Sequence, residues 1–246
     1  MPRIILTLLF LLTFIPTISA KYLKIGLLVA VEQQSIFEKY GRPQRSAMPG
    51  GFDVYSYKNH DYQLFVINSG VGEIAAAAAT QVLIDVYKVD LVVNFGVVGA
   101  LTNEMTVAEN CVVEKIVHYQ FDLSGIDPVK KGQYPGFNSE FLFTDTTLIN
   151  KALKVYPLLK KVTCASADRF VANKDEKDEL HTQFGADICE MECAAIFLTC
   201  HRNHVPCIFI KAVSDSLTGD GKEYYQEYLR AAALCLDITD KIIHQL

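Results

Sequence analysis

The sequence has no excess of positive charge. Its 246 residues include 23 Lys and Arg against 28 Asp and Glu, which gives a formal net charge of −5. Because nucleic acids and anionic membranes attract basic surfaces, this balance favours neither as a partner. Low-complexity segments, internal repeats and long linkers are also missing. The chain therefore fits one α/β domain that is long enough to bury a substantial core.

Several motifs that would indicate a metal or a nucleotide cofactor are missing as well. None of the seven cysteines forms a C-x-x-C pair, and the six histidines show no metal-ligand spacing. No Walker motif supports phosphoryl transfer from a nucleotide, and no nucleophile elbow supports a Ser-His-Asp set. The glycine turn at 69–72 lacks the third glycine of a dinucleotide fingerprint. The sequence therefore predicts no metal and no organic cofactor.

The first twenty residues have the three-part form of a secretory signal peptide. Residues 1–3 give a short basic start, residues 4–15 are apolar except for two threonines, and residues 16–20 supply a breaker and small residues. The apolar part is too short to span a bilayer comfortably. We expect an exported chain that is cleaved after Ala20, leaves one domain at 21–246 and has no membrane partner. The alternative is an uncleaved membrane anchor.

All seven cysteines lie after this leader, at helical spacing or in strand-like runs. Buried free thiols are the simplest interpretation of these positions. In an exported chain, an odd number of cysteines still leaves a disulfide open and at least one thiol unpaired. The positions are Cys111, Cys164, Cys189, Cys193, Cys200, Cys207 and Cys235.

Apolar strand-like runs alternate with helical patterns along the rest of the chain. This order predicts a single α/β domain with a central mixed, mostly parallel sheet flanked by helices. The segment 42–51 is predicted to be a loop, and the glycines at 96–99 are predicted to form a turn. The predicted strands cover 22–31, 54–57, 62–68, 90–95, 110–119, 161–166 and 206–213. The predicted helices cover 35–40, 73–87, 146–155, 174–181, 190–200 and 223–244, and the fourth of these is expected to be exposed.

Four carboxylates are predicted at the strand ends where α/β folds bind ligands. Glu190 and Glu192 are expected at the entry of a helix, where free backbone N–H groups favour negative charge. Glu190 also fits an ordinary acid of a first helical turn. Glu192 lies among apolar neighbours, where an unpaired carboxylate is costly, so a role toward a ligand is favoured. Asp215 and Glu32 complete the set.

Aromatic residues near these acids indicate the kind of ligand. Phe170 and Tyr225 could stack on a flat ring, while a carboxylate can accept both hydroxyls of a ribose. A protonated acid could then donate to a leaving nitrogen. The combination indicates a sugar joined to a base.

Seven motifs follow one another in the order seen in a known family. The chain resembles the nucleoside phosphorylase/nucleosidase superfamily over residues 23–246, and most closely its 5′-methylthioadenosine/S-adenosylhomocysteine nucleosidase branch. The EMEC stretch followed by a strand that ends in SD is the specific combination. The motifs are KIGLLVAVE (24–32), SGVGEIAAA (69–77), NFGVVGAL (94–101), GQYPG (132–136), SADRFV (166–171), CEMECAA (189–195) and KAVSD (211–215).

The resemblance implies roles for residues around the sugar and the leaving base. Asp215 matches the acid that protonates N7 of adenine, and Ser214 is its neighbour in the motif. Glu192 matches the carboxylate that binds the ribose hydroxyls and stabilises an oxocarbenium-like state. Met191 matches the residue under the sugar, and Glu190 is its conformational neighbour.

Further positions are implied around the base and the glycine turn. Phe170 matches the residue that stacks on adenine, and the Val171 backbone matches the group that meets the base edge. Tyr225 falls near the base and the 5′ substituent. Val98 and Gly99 lie in the turn that would contact the substrate.

The same turn favours hydrolysis over phosphorolysis. Phosphorylases of the superfamily hold phosphate with an arginine and a hydroxyl residue around this turn, whereas residues 94–99 contain neither. Val97 and Val98 would leave a phosphate dianion without partners.

One position departs from the family pattern. Without gaps from Lys24, the water-activating glutamate of the family falls on Gln34, and Glu32 lies two positions earlier. An amide can hold a water molecule but cannot take its proton. Three outcomes stay open: Glu32 reaches the water, Gln34 positions a water that the oxocarbenium captures, or the chain binds nucleosides without turnover.

The resemblance therefore predicts hydrolytic cleavage of the N-glycosidic bond of 5′-methylthioadenosine, S-adenosylhomocysteine or a related adenosine, with release of adenine. The alternatives are a nucleoside-binding or storage-type protein of the same fold and a purine nucleoside phosphorylase. The resemblance also implies a homodimer.

Overall fold

A computed structural model describes residues 22–43, 46–47 and 51–246. The expected signal peptide and part of the expected loop at 42–51 lie outside these residues. The ten strands are β1 (Leu23–Val29), β2 (Ser46–Ala47), β3 (Asp53–Lys58), β4 (Tyr62–Asn68), β5 (Leu91–Ala100), β6 (Asn110–His118), β7 (Phe141–Phe143), β8 (Lys160–Ser166), β9 (Ile188–Glu190) and β10 (Cys207–Asp215). The six helices are α1 (Gln33–Tyr40), α2 (Glu73–Asp85), α3 (Thr146–Val155), α4 (Lys174–Phe184), α5 (Cys193–Asn203) and α6 (Gly221–Ile243).

The ten described strands form one mixed sheet that closes on itself. Strand β5 pairs with both β9 and β10, and the order β10-β6-β8-β9-β5 completes a ring of five strands. Strands β1, β4, β3 and β2 extend the sheet from β5. The longest registers, β5 with β10, β1 with β4 and β6 with β8, are parallel. The prediction of a mixed, mainly parallel sheet is confirmed. The sequence did not predict that five of the strands close into a ring.

Helices cover both faces of the sheet. Helices α2 and α5 pack on one face, while α1, α3 and α6 pack on the other. Consecutive residues of the central strands therefore pack on opposite faces of the sheet. Val92 packs in the core with α2 and α5, and Val93 packs in the core with α1, α3 and α6. This is why the central strands are almost continuously apolar.

Strand β5 corrects the prediction of a turn at the second glycine motif. The segment continues as a strand to Ala100, and its parallel pairing with β10 runs through Gly99. A Cβ atom added at Gly96 would lie 3.0 Å from Oε1 of Glu32, and one at Gly99 would lie 3.0 Å from Oδ2 of Asp215. The glycines make room for two carboxylates that press against the strand.

Smaller corrections concern element ends. Strand β1 is shorter than the predicted run at 22–31, because Val31 and Glu32 turn into α1. The expected loop at 42–51 contains the short strand β2, which pairs with β3. Helix α4 extends to Phe184, where Gly185 adopts the left-handed conformation that ends many helices. The predictions of β4 at 62–68 and α3 at 146–155 are confirmed residue for residue.

All seven cysteines are buried and unpaired, which confirms the interpretation as free thiols. Burial raises the pKa of Cys189 and of Cys235 to about 12, so these thiols are neutral near pH 7. None of the described helices is long and apolar enough to cross a membrane.

Candidate active site

A cavity of about 430 Å³ opens at the carboxyl ends of the central strands. It collects the ends of β5, β9 and β10, the turn before α1 and the start of α6. Eleven of the twelve site residues predicted from the sequence line it. They are Glu32, Val98, Gly99, Phe170, Val171, Glu190, Met191, Glu192, Ser214, Asp215 and Tyr225.

The twelfth predicted residue, Gln34, does not line the cavity. Its side chain is exposed, and its Nε2 donates to Oε1 of Glu38 at 2.8 Å, one helical turn further along α1. The reason is local: Glu32 occupies the N-cap position, so the second residue of the helix faces solvent. The Gln34 amide therefore does not lie where it could hold a water molecule in the cavity.

Glu32 takes the place beside the cavity. Its side chain is buried, and Oε2 accepts hydrogen bonds from the N–H groups of Ala30 at 3.1 Å and Val31 at 3.0 Å. Oε1 accepts from the N–H of Val97 at 3.0 Å, close to Gly96. Three backbone donors thus fix the carboxylate at the wall of the cavity.

Glu190 lies at the end of strand β9, not in a helix as predicted. Its carboxylate accepts hydrogen bonds from the N–H groups of Glu192, the N-cap residue of α5, and of Cys193, the first residue of that helix. Glu190 thus provides acceptors for backbone donors that have no partner within the helix. The chain must turn at Met191 before the helix can begin, which explains the difference. Nζ of Lys211 donates to Oε2 of Glu190 at 3.1 Å, and both side chains are buried.

This contact sets the charge of Glu190. Burial alone would raise its pKa, but the Lys211 ammonium and hydrogen bonds from Ser166 and Cys193 outweigh burial, so the pKa lies below its ordinary value. Glu190 is therefore an anion inside the protein.

Glu192 occupies the N-cap position of α5 and points at the glycine turn before α2. Its Oε1 accepts a hydrogen bond from the N–H of Gly72 at 2.9 Å. Gly72 has a φ of 101°, and a Cβ there would lie 2.8 Å from Oδ1 of Asp168, so the turn requires glycine. Burial and the nearby Glu190 charge raise the pKa of Glu192 to about 8.

Asp215 closes strand β10 and receives two hydrogen bonds. The Ser214 hydroxyl lies 2.9 Å from Oδ1, and Nζ of Lys177 donates to Oδ2 at 2.7 Å. Burial raises the pKa of Asp215 above its ordinary value, although Lys177 and Ser214 act in the opposite direction. A carboxyl group with a raised pKa and access to a cavity is suited to proton transfer.

Aromatic side chains line the outer part of the cavity. Phe170 is 45% exposed, and its ring meets the ring of Tyr224 edge-on with centroids 5.4 Å apart. Tyr225 is 76% exposed and packs against Tyr224 at 5.3 Å. The cavity thus has carboxylates at its floor and aromatic side chains at its rim.

Sequence reasoning missed four contributors: Lys177, Lys211, Arg169 and Tyr224. Lys177 lies in a helix that the charge pattern assigned to solvent, yet its side chain is completely buried. Lys211 carried a usable signal, because a single lysine inside the apolar run of β10 requires a buried anion. Arg169 and Tyr224 adjoin residues that the prediction did include.

One group of possible metal ligands lies below the cavity among the described residues. One atom from each of Cys164, Glu190 and Cys193 comes within 4.8 Å of the others. The Lys211 ammonium already pairs with the same carboxylate and would repel a cation. We therefore assign no metal to this group.

Comparison with known proteins identifies relatives over nearly the whole chain. A sequence profile described as the phosphorylase superfamily matches residues 24–244. The 5′-methylthioadenosine/S-adenosylhomocysteine nucleosidase of Buchnera aphidicola subsp. Acyrthosiphon pisum (strain Tuc7) is 29% identical over 230 residues, which are 90% of this chain and 97% of that protein. The protein of the same description from Staphylococcus haemolyticus is 32% identical over 186 residues, 73% of this chain and 80% of that protein.

Solved structures show the same architecture. A mutant 5′-methylthioadenosine/S-adenosylhomocysteine nucleosidase from Helicobacter pylori, with 5′-methylthioadenosine in the active site, has a TM-score of 0.85 at 26% identity. That match covers 92% of this chain and 100% of the other. The futalosine hydrolase of Helicobacter pylori has a TM-score of 0.85 at 25% identity and covers 91% of this chain and 98% of its own.

We expect Lys211→Met to destabilise the protein by roughly 3–5 kcal/mol near neutral pH, because it leaves the Glu190 anion buried without its partner. Urea unfolding at pH 5 and pH 8 measures the loss. In the wild type, the lowered pKa of Glu190 contributes stability above its ordinary value of 4.5, which is lost as the pH falls through the lower folded value. Without Lys211 the pKa rises instead, so the loss should be larger at pH 8.

The control is the double variant with Glu190→Gln, which should recover part of the stability because no buried anion remains. Equal losses at both pH values would show that Lys211 contributes packing and not charge.

Proposed function

Because this chain belongs to the phosphorylase superfamily, we propose that it is an N-glycosidase that hydrolyses 5′-methylthioadenosine, S-adenosylhomocysteine or a related adenosine to adenine and a 5-substituted ribose. The observation that carries the proposal is the set of three carboxylates around one cavity. Glu32, Glu192 and Asp215 each receive a different set of donors, so each is suited to a different task.

Asp215 is assigned to the base. Burial raises the pKa of this carboxyl group above its ordinary value, which makes it a better proton carrier, and protonation of N7 allows the purine to leave as a neutral molecule. Phe170 is exposed toward the cavity and offers an aromatic face for stacking, and Val171 adjoins it with its backbone groups.

Glu192 is assigned to the ribose hydroxyls. Oε1 already accepts from Gly72, and the remaining lone pairs can accept from the sugar. In the transition state, positive charge develops on the ribose ring, and this charge favours the ionised form of Glu192, which stabilises it. Met191 lies beside Glu192 at the cavity wall and supplies an apolar surface under the sugar.

Glu32 is assigned to the attacking water. It is the carboxylate at the cavity that remains once Glu192 and Asp215 are given the sugar and the base, and Glu190 is neutralised by Lys211. Of the three outcomes left open at Gln34, the arrangement favours the one in which Glu32 takes the proton. The binding or storage alternative rested on Gln34, which lies outside the cavity.

Phosphorolysis is disfavoured by charge. The N–H of Val97, which could otherwise bind phosphate, already donates to Glu32, and this carboxylate would repel a phosphate dianion. The cations beside the cavity are also engaged: Arg169 pairs with Glu176, and Lys211 with Glu190.

We further propose that two copies of the chain associate through the surface beside α2. Ile74 is 84% exposed and Val71 is 54% exposed, next to a surface depression formed with Phe52, Ala75 and Met191. Exposed apolar patches of this kind are typical of protein interfaces. Met191 and Val71 also line the active cavity, so the partner would cover a surface continuous with the site.

Export through the leader at residues 1–20 is proposed from the sequence. The three-part pattern supports it, and residues 21–246 would form the mature protein.

The proposed chemistry predicts that Asp215→Asn and Glu32→Gln each lower kcat for adenine release by roughly 10²–10⁴-fold. Gln34→Ala, the matched control at the neighbouring position, should leave kcat unchanged. Adenine release coupled to xanthine oxidase measures the rate. Circular dichroism verifies the fold of each variant.

Three results would contradict this assignment. Turnover that requires phosphate would indicate a phosphorylase. Tight nucleoside binding without adenine release would indicate a binding protein. Loss of activity in Gln34→Ala but not in Glu32→Gln would show that Gln34 positions the water and that Glu32 does not take its proton.

The proposed interface predicts that wild type has the mass of a dimer by light scattering and that Ile74→Asp shifts it toward the monomer. Leu158→Asp introduces the same charge at a 77% exposed leucine elsewhere and should leave the mass unchanged. A monomeric wild type, or equal effects of both variants, would refute the interface.

Expression of the full chain in a secreting host should give a mature protein whose mass begins at Lys21. Intact-mass spectrometry of the exported fraction provides the measurement. A protein retained in the cell, with residues 1–20 still attached, would contradict cleavage and export.

A further inference from the structure

A completely buried lysine stands behind the proposed acid. Lys177 belongs to α4, whose other charged residues are exposed or half-buried, yet its own side chain has no solvent exposure. Its Nζ donates to Oδ2 of Asp215 at 2.7 Å, to the carbonyl of Ser216 at 2.7 Å and to the carbonyl of Gly219 at 3.2 Å. An ammonium group has three N–H donors, and all three have acceptors here.

The contacts of Asp215 indicate an ionised carboxylate in the resting protein. Oδ2 accepts from Lys177, and Oδ1 lies 2.9 Å from the Ser214 hydroxyl. A carboxylate in this state has no proton to give to a base. The side chain of Asp215 is 2% exposed, so a bound substrate would separate it from bulk water. Among the described residues, the cationic proton donor in contact with Asp215 is Lys177.

We propose that Lys177 supplies, through Asp215, the proton that reaches N7 of the departing purine. The inference deepens the proposed hydrolase function and rests on it. Lys177 would not touch the substrate and acts as a positioning and proton-supplying residue. The observation that carries it is the buried ammonium with three acceptors, one of which is the acid itself.

In the proposed reaction, one bond to C1′ breaks and another forms. The C1′–N9 bond breaks and its electron pair moves to the purine, whose nitrogen becomes a stronger base as the bond lengthens. One proton passes from Lys177 to Asp215 and one from Asp215 to N7, so that Asp215 ends ionised as it began. Water forms the new C1′–O bond and gives its proton to Glu32. Return of a proton from solvent to Lys177, and loss of one from Glu32, restores the protein.

Ser214 gives Asp215 room to change its protonation state. Its hydroxyl carries one hydrogen, and two acceptors lie within reach: Oδ1 of Asp215 at 2.9 Å and the carbonyl of Val98 at 3.1 Å. When Oδ1 carries a proton, the hydroxyl can donate to Val98 instead and accept from Asp215. The network therefore accommodates both forms without an unsatisfied group.

Other titratable groups packed around the pair do not replace this function. Cys189 on β9 has a pKa of about 12 and remains a neutral thiol. Glu223 on α6 accepts hydrogen bonds from the N–H and hydroxyl of Ser216, and its charge acts to raise the pKa of Asp215 without a direct hydrogen bond to that residue in the described chain. Lys177 is the cation in direct contact with Asp215 in the described chain.

The pH dependence of kcat/KM for adenine release tests the inference with Lys177→Met and Lys177→Gln. If Lys177 resupplies the proton to Asp215, activity should persist at pH values where the Asp215 carboxyl group is ionised before each turnover. Without Lys177, nothing inside the protein returns a proton to Asp215, so activity should disappear once that carboxyl group is ionised. We expect kcat/KM at pH 9 to fall by roughly 10²-fold or more relative to wild type, with a much smaller loss at pH 6.

The two variants differ in what they retain. Gln keeps N–H donors for Asp215 but cannot supply a proton, so it should show the same shift as Met. Lys174→Met is the matched control, because Lys174 lies on the same helix, is exposed and pairs with Asp178. Its profile should follow wild type. Thermal unfolding verifies that each variant is folded, and if the Met variant does not fold, the Gln variant decides.

The outcomes separate the inference from the function it rests on. If the alkaline limit moves to higher pH in both variants, Lys177 only opposes protonation of Asp215 and the inference is overturned. A uniform loss at every pH would show a structural role and would also overturn it. Wild type that releases no adenine at any pH would overturn the hydrolase function itself and the inference with it.

Discussion

The buried ion pair between Lys211 and Glu190 is the interaction on which the cavity depends. It joins strand β10 to the end of β9, and the same carboxylate satisfies the first N–H groups of α5. Glu190 is an anion that pairs with Lys211, and its charge raises the pKa of Glu192. Glu192 in turn accepts a hydrogen bond from Gly72, so each acid has a partner. Removal of Lys211 would leave the Glu190 charge uncompensated in a low-dielectric region. The lysine therefore allows Glu190 and Glu192 to lie two residues apart at the floor of the cavity.

Two glycines of strand β5, Gly96 and Gly99, also shape the cavity. The residues that sequence reasoning placed in a turn remain in the sheet, and their missing side chains leave space for Glu32 beside Gly96 and for Asp215 beside Gly99. A carboxylate can approach the strand closely enough to accept a backbone N–H, as Glu32 does from Val97. Strand β5 thus positions two acids that belong to other elements: Glu32 at the start of α1 and Asp215 at the end of β10.

Much of the fold and most of the site could be predicted from the sequence, for identifiable reasons. Apolar runs and turn residues located the strands, and the spacing of Glu192 and Asp215 in their motifs located the cavity. Gln34 was misplaced because an ungapped count along the chain does not show where a helix begins, and a difference of two residues, about half a helical turn, moves a side chain from the cavity to solvent. Lys177 was missed because a lysine among charged residues has the same pattern whether it faces water or a buried acid.

If the chain is exported as we propose, its seven unpaired thiols have a consequence outside the cell. In an oxidising compartment nothing covalent holds this fold together, and each sulfur is shielded only by the packing around it. Collapse must therefore finish before the sulfurs meet an oxidant, since any cross-link formed earlier would trap a chain that cannot close its core. In such a compartment a buried thiol is oxidised only after the interior opens, so the rate of opening would limit the lifetime of the folded protein.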